Sequence, residues 1–255
     1  MENNNLFSIK GKRILVTGSG SGLGLCIAEG LAENGASLIL NGRSNEKLES
    51  ARQYLANKGY AVDTCIFDVT NEKMIVESVT SMEKGGPIDV LINNAGIQRR
   101  APLEEFSQTD WDELMDTNLK GVFLTSREVV KQMIKRKQGK IINICSLQSE
   151  LARPSIAPYA ASKGGLKMLT RAMATEWAKY NIQVNGIGPG YFKTDMTKAL
   201  YENREFDAWL CNRTPAHRWG NPEELVGTAV FLSSGASSFI NGQIIYVDGG
   251  IMACI

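Results

Sequence analysis

The feature that most restricts what this chain can fold into is a glycine loop with a strand on one side and a helix on the other. Thr17 to Gly24 read TGSGSGLG. A Gly/Ser stretch by itself suits a flexible connector as well as a binding loop, so the flanks must decide. Upstream, Arg13 to Val16 (RILV) is a short aliphatic run of the kind that forms a buried strand. Downstream, Leu25, Ala28, Leu31 and Ala32 recur at helical spacing, and Gly35 stands where a helix would stop. A strand, a glycine loop and a helix in that order let a phosphate rest on the free N–H groups of the helix N-terminus, with the helix dipole behind them.

The alternation continues along the chain. Strands are expected at 37–41, 62–67, 88–94, 139–146, 182–187 and 243–250. Helices are expected at 44–58, up to Lys84, from Trp111 to Lys135 and from Pro158 to Tyr180. Short apolar strands separated by helices imply parallel strands joined by crossovers. The expected fold is α/β: one domain over residues 1–255, a doubly wound parallel sheet of Rossmann type with helices on both faces. Ligands bind beyond the carboxyl ends of such strands. The stretch from Gly188 to Pro222 is the longest irregular part, and Phe192, Trp209 and Trp219 argue that it packs. It is expected to cover the substrate over about 190–221.

Charge excludes some classes of partner. With 28 Lys+Arg against 27 Asp+Glu, nothing in the net charge draws nucleic acid or a membrane surface. The polar start MENNNLFSIKGK has no apolar signal core, and no apolar run approaches the ~18 residues of a spanning helix. Five cysteines, Cys26, Cys65, Cys145, Cys211 and Cys254, lack C-x-x-C spacing, as expected for reduced thiols in the cytoplasm. The single histidine, His217, reads as a surface or interface residue, and no His/Cys cluster offers a metal site.

The chemistry concentrates around SIAPYAASK. Tyr159 and Lys163 are four apart on the expected helix and share a face. An ammonium beside a phenol favours the phenolate, so Lys163 is expected to lower the Tyr159 pKa and fit it to exchange a proton with an alcohol or ketone. Ser146, at the carboxyl end of a strand, could hold a carbonyl oxygen. Cys145 beside it points to the other face of that strand and reads as core.

The glycines Gly18, Gly22 and Gly24 form G-x-x-x-G-x-G rather than the usual dinucleotide spacing. With TGSGSGLG, Asp68-Val69, NNAG at Asn93 to Gly96, Asn118, Ser146, YAASK, and PGYFKT at Pro189 to Thr194, all in order, the chain resembles the short-chain dehydrogenase/reductase family. That resemblance implies a catalytic tetrad of Asn118, Ser146, Tyr159 and Lys163. Asn118 would support a water-linked proton path to Lys163, and Lys163 would also bind the nicotinamide ribose. It implies a cofactor site of Gly18, Ser21, Gly22, Leu23, Gly24, Gly42, Arg43, Asp68, Val69, Asn94, Ala95, Gly96, Tyr159, Lys163, Pro189, Gly190 and Thr194. Members of the family are usually tetrameric, and the apolar tail IMACI suits a subunit contact.

Cofactor choice is read from LILNGRS. Gly42 stands where members preferring NAD usually carry Asp, and Arg43 follows. A guanidinium can fork onto a 2′-phosphate, so NADP is favoured over NAD; a solvated turn arginine is the alternative. Stretches such as NNAGIQRRAPLEEF and KIINICSLQSELARP are similar to the gluconate 5-dehydrogenase group of the family, which implies D-gluconate and 5-keto-D-gluconate as reactants. The residues alone support an acidic, hydroxyl-rich substrate. Arg100 is preferred over Arg99 for its carboxylate, with Gln148, Ser149, Glu150 and Arg153 as further polar candidates and an interface salt bridge as the alternative. Other readings stay open: a 2-deoxygluconate 3-dehydrogenase, a 3-oxoacyl reductase, or a non-catalytic NADP sensor, which would have no need of the tetrad.

Overall fold

A computed structural model describes residues 5–254. In chain order the elements are β1 Arg13–Val16, α1 Gly22–Glu33, β2 Ser37–Gly42, α2 Asn45–Asn57, β3 Val62–Ile66, α3 Glu72–Lys84 and β4 Val90–Asn93. Then come α4 Gln108–Met115, α5 Gly121–Arg136, β5 Gly139–Ile144, α6 Ala157–Trp177 and β6 Ile182–Pro189. The last are α7 Lys198–Tyr201, α8 Arg204–Arg213, α9 Val226–Ser233 and β7 Ile244–Val247. The seven strands form one sheet in the order β3-β2-β1-β4-β5-β6-β7, and every pairing is parallel.

Period-two alternation builds a core on each face of the sheet. Ile14, Val16, Leu38, Leu40, Val90 and Ile92 pack on α1, α2 and α9. Leu15, Ile39, Leu91, Ile141 and Val184 face the other way, onto α3, α5 and α6. Both faces are dry, which is why the strands read as unbroken aliphatic runs. Strand order reverses between β1 and β4, where Val16 pairs with both Leu40 and Ile92. The crevice at that switch point is where such sheets take ligands.

The single-domain parallel sheet is as expected, but two local readings change and one helix, α9, is not among those expected. The helix expected from Trp111 to Lys135 begins at Gln108, after Ser107 accepts a capping bond from the Asp110 N–H, and one π-helical turn, Asp116–Lys120, interrupts it. The stretch after β6 is not irregular: it carries α7 and α8, the latter capped by Asn203. Phe192 and Trp219 are buried there, whereas Trp209 is half exposed. Helix α9 is apolar on every side and shows no period to find. Of the tail, Ile251 is buried within its own chain and Ile255 lies outside the described residues. Residues 1–4 of the polar start are outside them too. Among the described residues no helix is long and apolar enough to cross a membrane.

One buried charge gives a stability test. Lys140, at the amino end of β5, is 8% exposed; its Nζ donates to Ser237 Oγ at 3.0 Å, and burial together with Lys12 pushes its pKa down to about 8. A lysine whose folded value lies below its unfolded 10.5 destabilises the fold while it must carry charge, and that penalty fades as pH rises from about 8 to 10.5. Lys140→Met is therefore expected to raise urea-unfolding stability at neutral pH by about 1–3 kcal/mol. The gain should shrink above pH 8; a constant gain, or a loss, would show that burial of the charge is not the cause.

Candidate active site

The carboxyl ends of β1, β2, β4, β5 and β6 open into one cavity of about 400 Å³. Its floor is the glycine loop. The loop after β4 is fastened to it through Thr17, whose Oγ1 accepts from the N–H groups of Asn94 (3.0 Å) and Ala95 (3.1 Å). Asn94 Nδ2 donates back to Thr17 O at 2.9 Å and Gly18 O at 3.0 Å. That crossing requires glycine at 24: a Cβ there would lie 2.4 Å from Asn94 Nδ2. Gly22 has φ +59°, and a Cβ there would meet nothing within 4 Å, because it faces the open cavity. Ser21 precedes α1 without a side-chain capping bond, so the first N–H groups of the helix stay free beside that space.

Around this floor the structure gathers the candidates named from sequence. Ser21, Leu23, Gly42 and Arg43 line one end of the cavity with Asp68 and Val69. Gly96, Pro189, Gly190 and Thr194 border the middle, and Arg100, Gln148, Tyr159 and Lys163 the other end. Arg43 is 67% exposed, with Nη1 3.7 Å from Asp68 Oδ2. Pairing sequence elements alone did not flag Tyr191, Met196 or Leu200, which also border the cavity. Their only signal was their place in the stretch after β6.

The tetrad candidates lie at the junction of β5, α6 and the π turn. Ser146 follows β5 and starts a short 3₁₀ turn; its Oγ donates to Gln148 Oε1 at 2.6 Å and accepts from the Gln148 N–H at 3.2 Å. Asn118 is fully buried on the π turn. Its Oδ1 accepts from the Ile97 N–H at 2.8 Å, and its Nδ2 donates to Ile97 O at 2.9 Å and Ser162 Oγ at 3.4 Å. Those bonds fix the loop after β4; none reaches Lys163.

The electrostatics correct one expectation. Lys163 and Tyr159 do share a face, with Nζ 5.7 Å from the ring centre, but the Nζ hydrogen bond runs to Ile144 O at 2.7 Å. The contact with Lys163 does not bring the Tyr159 pKa below its ordinary value. Burial instead raises that pKa above its ordinary value, against the lowering pull of Ser146 and, more weakly, Arg100. Burial also brings Lys163 down to about 8. In the bare protein the phenol is held protonated, ready to give a proton.

Other polar candidates divide. Arg99 leaves the cavity and meets Glu113 at 2.7 Å and Asp110 at 3.4 Å. Glu150 also turns away, its carboxylate bonded to Lys167 and, at 2.9 Å, to Tyr246 Oη; both hold its pKa down. Ser149 Oγ is taken by the Ser146 N–H at 3.3 Å. His217 is exposed and away from the site. Cys145 is buried against Val122 and Leu166, as core, and burial lifts its thiol to about 11.

The family model described as short chain dehydrogenase matches residues 12–205. The chain belongs to that family. This short-chain dehydrogenase is an oxidoreductase, and it is similar over nearly its whole length to proteins named for oxidoreductions of gluconate, 5-keto-D-gluconate and, at 52% identity in Formosa agariphila, 2-dehydro-3-deoxy-D-gluconate. It is 57% identical to the gluconate 5-dehydrogenase of Gluconobacter oxydans, covering 98% of each chain. It is 54% identical to the 5-keto-D-gluconate 5-reductase of Escherichia coli K12, covering 99% of this chain and 100% of that one. Among solved structures, a gluconate 5-dehydrogenase from Burkholderia cenocepacia in complex with NADP and tartrate superposes with a TM-score of 0.96. It is 50% identical and 98% of each chain is covered.

Proposed function

We propose that the protein interconverts D-gluconate and 5-keto-D-gluconate using NADP(H). The observation that carries the reading is full-length likeness to relatives named for the two directions of that reaction, at 57% and 54% identity. The cavity fits the cofactor on its own evidence: uncapped N–H groups of α1 and the open space at Gly22 suit a pyrophosphate, and Arg43 suits a 2′-phosphate. Asp68 and Val69 would hold the adenine end, Asn94 to Gly96 the middle, and Lys163 with Pro189, Gly190 and Thr194 the nicotinamide end.

When bound, the cofactor supplies or accepts the hydride; the chain supplies position and the proton. Tyr159 Oη gives a proton to the ketone oxygen in reduction and takes it from the alcohol in oxidation. Ser146 Oγ holds the same oxygen, once its hydroxyl turns from Gln148, whose amide is then free for a substrate hydroxyl. Lys163 holds the ribose, and Asn118 keeps the Ile97 backbone and the π turn in place beside it. The 190–221 segment covers the substrate, supported by Tyr191, Met196 and Leu200 at the cavity wall. A homotetramer and a cytoplasmic setting belong to the same proposal. The assembly is supported by an apolar face on the α4–α6 side, where Phe123 and Met168 are 42% and 57% exposed.

Arg100 is assigned to the substrate carboxylate, because Arg99 is already paired outside the cavity. Arg100→Ala is expected to lower kcat/KM for 5-ketogluconate by roughly ten- to a hundredfold, the worth of a hydrogen bond to a charged group. An uncharged keto-sugar should suffer much less, and Arg99→Ala should leave the discrimination intact. Steady-state kinetics on both ketones decide it. Discrimination lost in Arg99→Ala alone would move the assignment by one residue. A panel that includes 2-deoxygluconate and a 3-oxoacyl thioester tests the substrate itself.

A further inference from the structure

Arg100 is not alone at its end of the cavity. Arg153 also borders it, and neither guanidinium has an acidic partner among the described residues. Arg99, one residue away, has two. Arg100 is exposed at the cavity mouth, where partial desolvation and, next, the nearby charge of Arg153 push it below its usual value. The two loops that carry them are joined by a backbone bond, the Ala101 N–H donating to Ser155 O at 3.2 Å. Ser155 sits at φ 67°, a left-handed backbone that a non-glycine residue keeps only where its surroundings over-determine it. An enforced pair of cations in a concave site calls for an anion between them.

Arg153 has a second set of contacts. Its Nη1 donates to Tyr191 Oη at 3.2 Å, and its guanidinium lies 4.8 Å from the Phe206 ring centre. Tyr191 follows β6 and Phe206 lies in α8. Their rings are 5.8 Å apart, and each also packs on Trp219, at 5.7 and 6.3 Å. These aromatics are the small core of the segment after β6. A guanidinium stacked on a ring keeps its in-plane N–H groups available for a carboxylate.

We propose that Arg153 is a specificity-determining residue: with Arg100 it clamps the substrate carboxylate, and through Phe206 and Tyr191 it links filling of the clamp to seating of the 190–221 segment over the cleft. This rests on the sugar-acid reading above and adds to it the residue that makes the cover respond to the acid group. Lysine would keep the charge at 153 but lose the stacking and the fork.

The test uses the full-length protein with NADP⁺ and tartrate, a hydroxylated dicarboxylate, as the probe. Calorimetric titration reads affinity; trypsin, which can cut after Lys193, Lys198, Arg204 and Arg213, reads seating of the segment. Arg153→Ala is expected to weaken tartrate by roughly ten- to a hundredfold and to abolish protection from trypsin. Arg153→Lys should recover part of the affinity, and Phe206→Leu should keep most affinity while losing protection. NADP⁺ affinity should hold in all three, and the unfolding midpoint in the two Arg153 variants. Wild-type protein that does not bind tartrate, or Arg153→Ala that binds it as tightly as wild type, overturns the clamp. Parallel loss of NADP⁺ affinity or of stability assigns Arg153 a structural role instead. Failure of wild-type protein to reduce 5-ketogluconate, with tartrate binding and protection as expected, would remove the gluconate reading and leave the clamp standing.

Discussion

Tyr159→Phe is expected to remove nearly all turnover in both directions while leaving the fold and NADP(H) affinity close to wild type. The substitution keeps the ring and deletes only the oxygen that carries the proton. General acid–base contributions are worth about 10²–10⁴ in rate, and no neighbour can replace this one. Ser146 is already assigned to hold the substrate oxygen and, as an aliphatic alcohol, is a far weaker acid than a phenol, and Lys163 has a hydrogen bond on the Ile144 carbonyl and is assigned to the ribose. The pH dependence follows from burial, which raises the phenol's pKa. Ketone reduction needs the protonated form and should stay level through neutral pH. Alcohol oxidation needs the ionised form and should climb as pH rises above neutral. Stopped-flow and steady-state rates with 5-ketogluconate and gluconate check both limbs; a Phe variant within about threefold of wild type would rule Tyr159 out as the proton carrier.

Arg43→Ala is expected to weaken NADPH by roughly ten- to a hundredfold relative to NADH, because only the former carries the phosphate that this guanidinium would meet. Little else should change. Arg43 is 67% exposed, and its 3.7 Å approach to Asp68 is a surface contact of small worth to the fold. Gly42→Asp should shift preference toward NADH by placing a carboxylate at the ribose hydroxyls. There is room for it: a Cβ at 42 would meet the Leu48 side chain at an ordinary 3.5 Å, so a loss of NADPH affinity would not come from a clash. Fluorescence titration with each cofactor, repeated at raised salt, separates the contributions, since an exposed ion pair weakens with ionic strength. Equal losses for the two cofactors in Arg43→Ala would refute the phosphate assignment.

Most of the architecture was legible because its signals are local. Ile14, Leu15 and Val16 are aliphatic in a row because β1 is buried on both faces, and the glycine loop follows where a strand must turn into a helix. Ser146, Tyr159 and Lys163 converge because β5 ends just before the first and α6 carries the other two. What escaped depends on partners distant in the chain. The π turn at Asp116–Lys120 leaves the apolar period on either side undisturbed. Helix α8 buries only Leu210 fully, and its order comes from Phe206 packing on Trp219. Spacing put Lys163 beside Tyr159, yet could not say that the Ile144 carbonyl, on another element, would take the ammonium. The sequence favours Arg100 over Arg99 for the cavity, but nothing in the pair said that Glu113, on another element, would take Arg99.

The most direct test is to follow nicotinamide absorbance as purified protein meets 5-keto-D-gluconate with NADPH and, separately, with NADH. Reduction of 5-ketogluconate with NADPH clearly preferred, reversed by gluconate and NADP⁺, is the expected result. Absence of turnover with either cofactor, or a faster reaction with a 3-oxoacyl thioester or 2-deoxygluconate, would contradict the assignment.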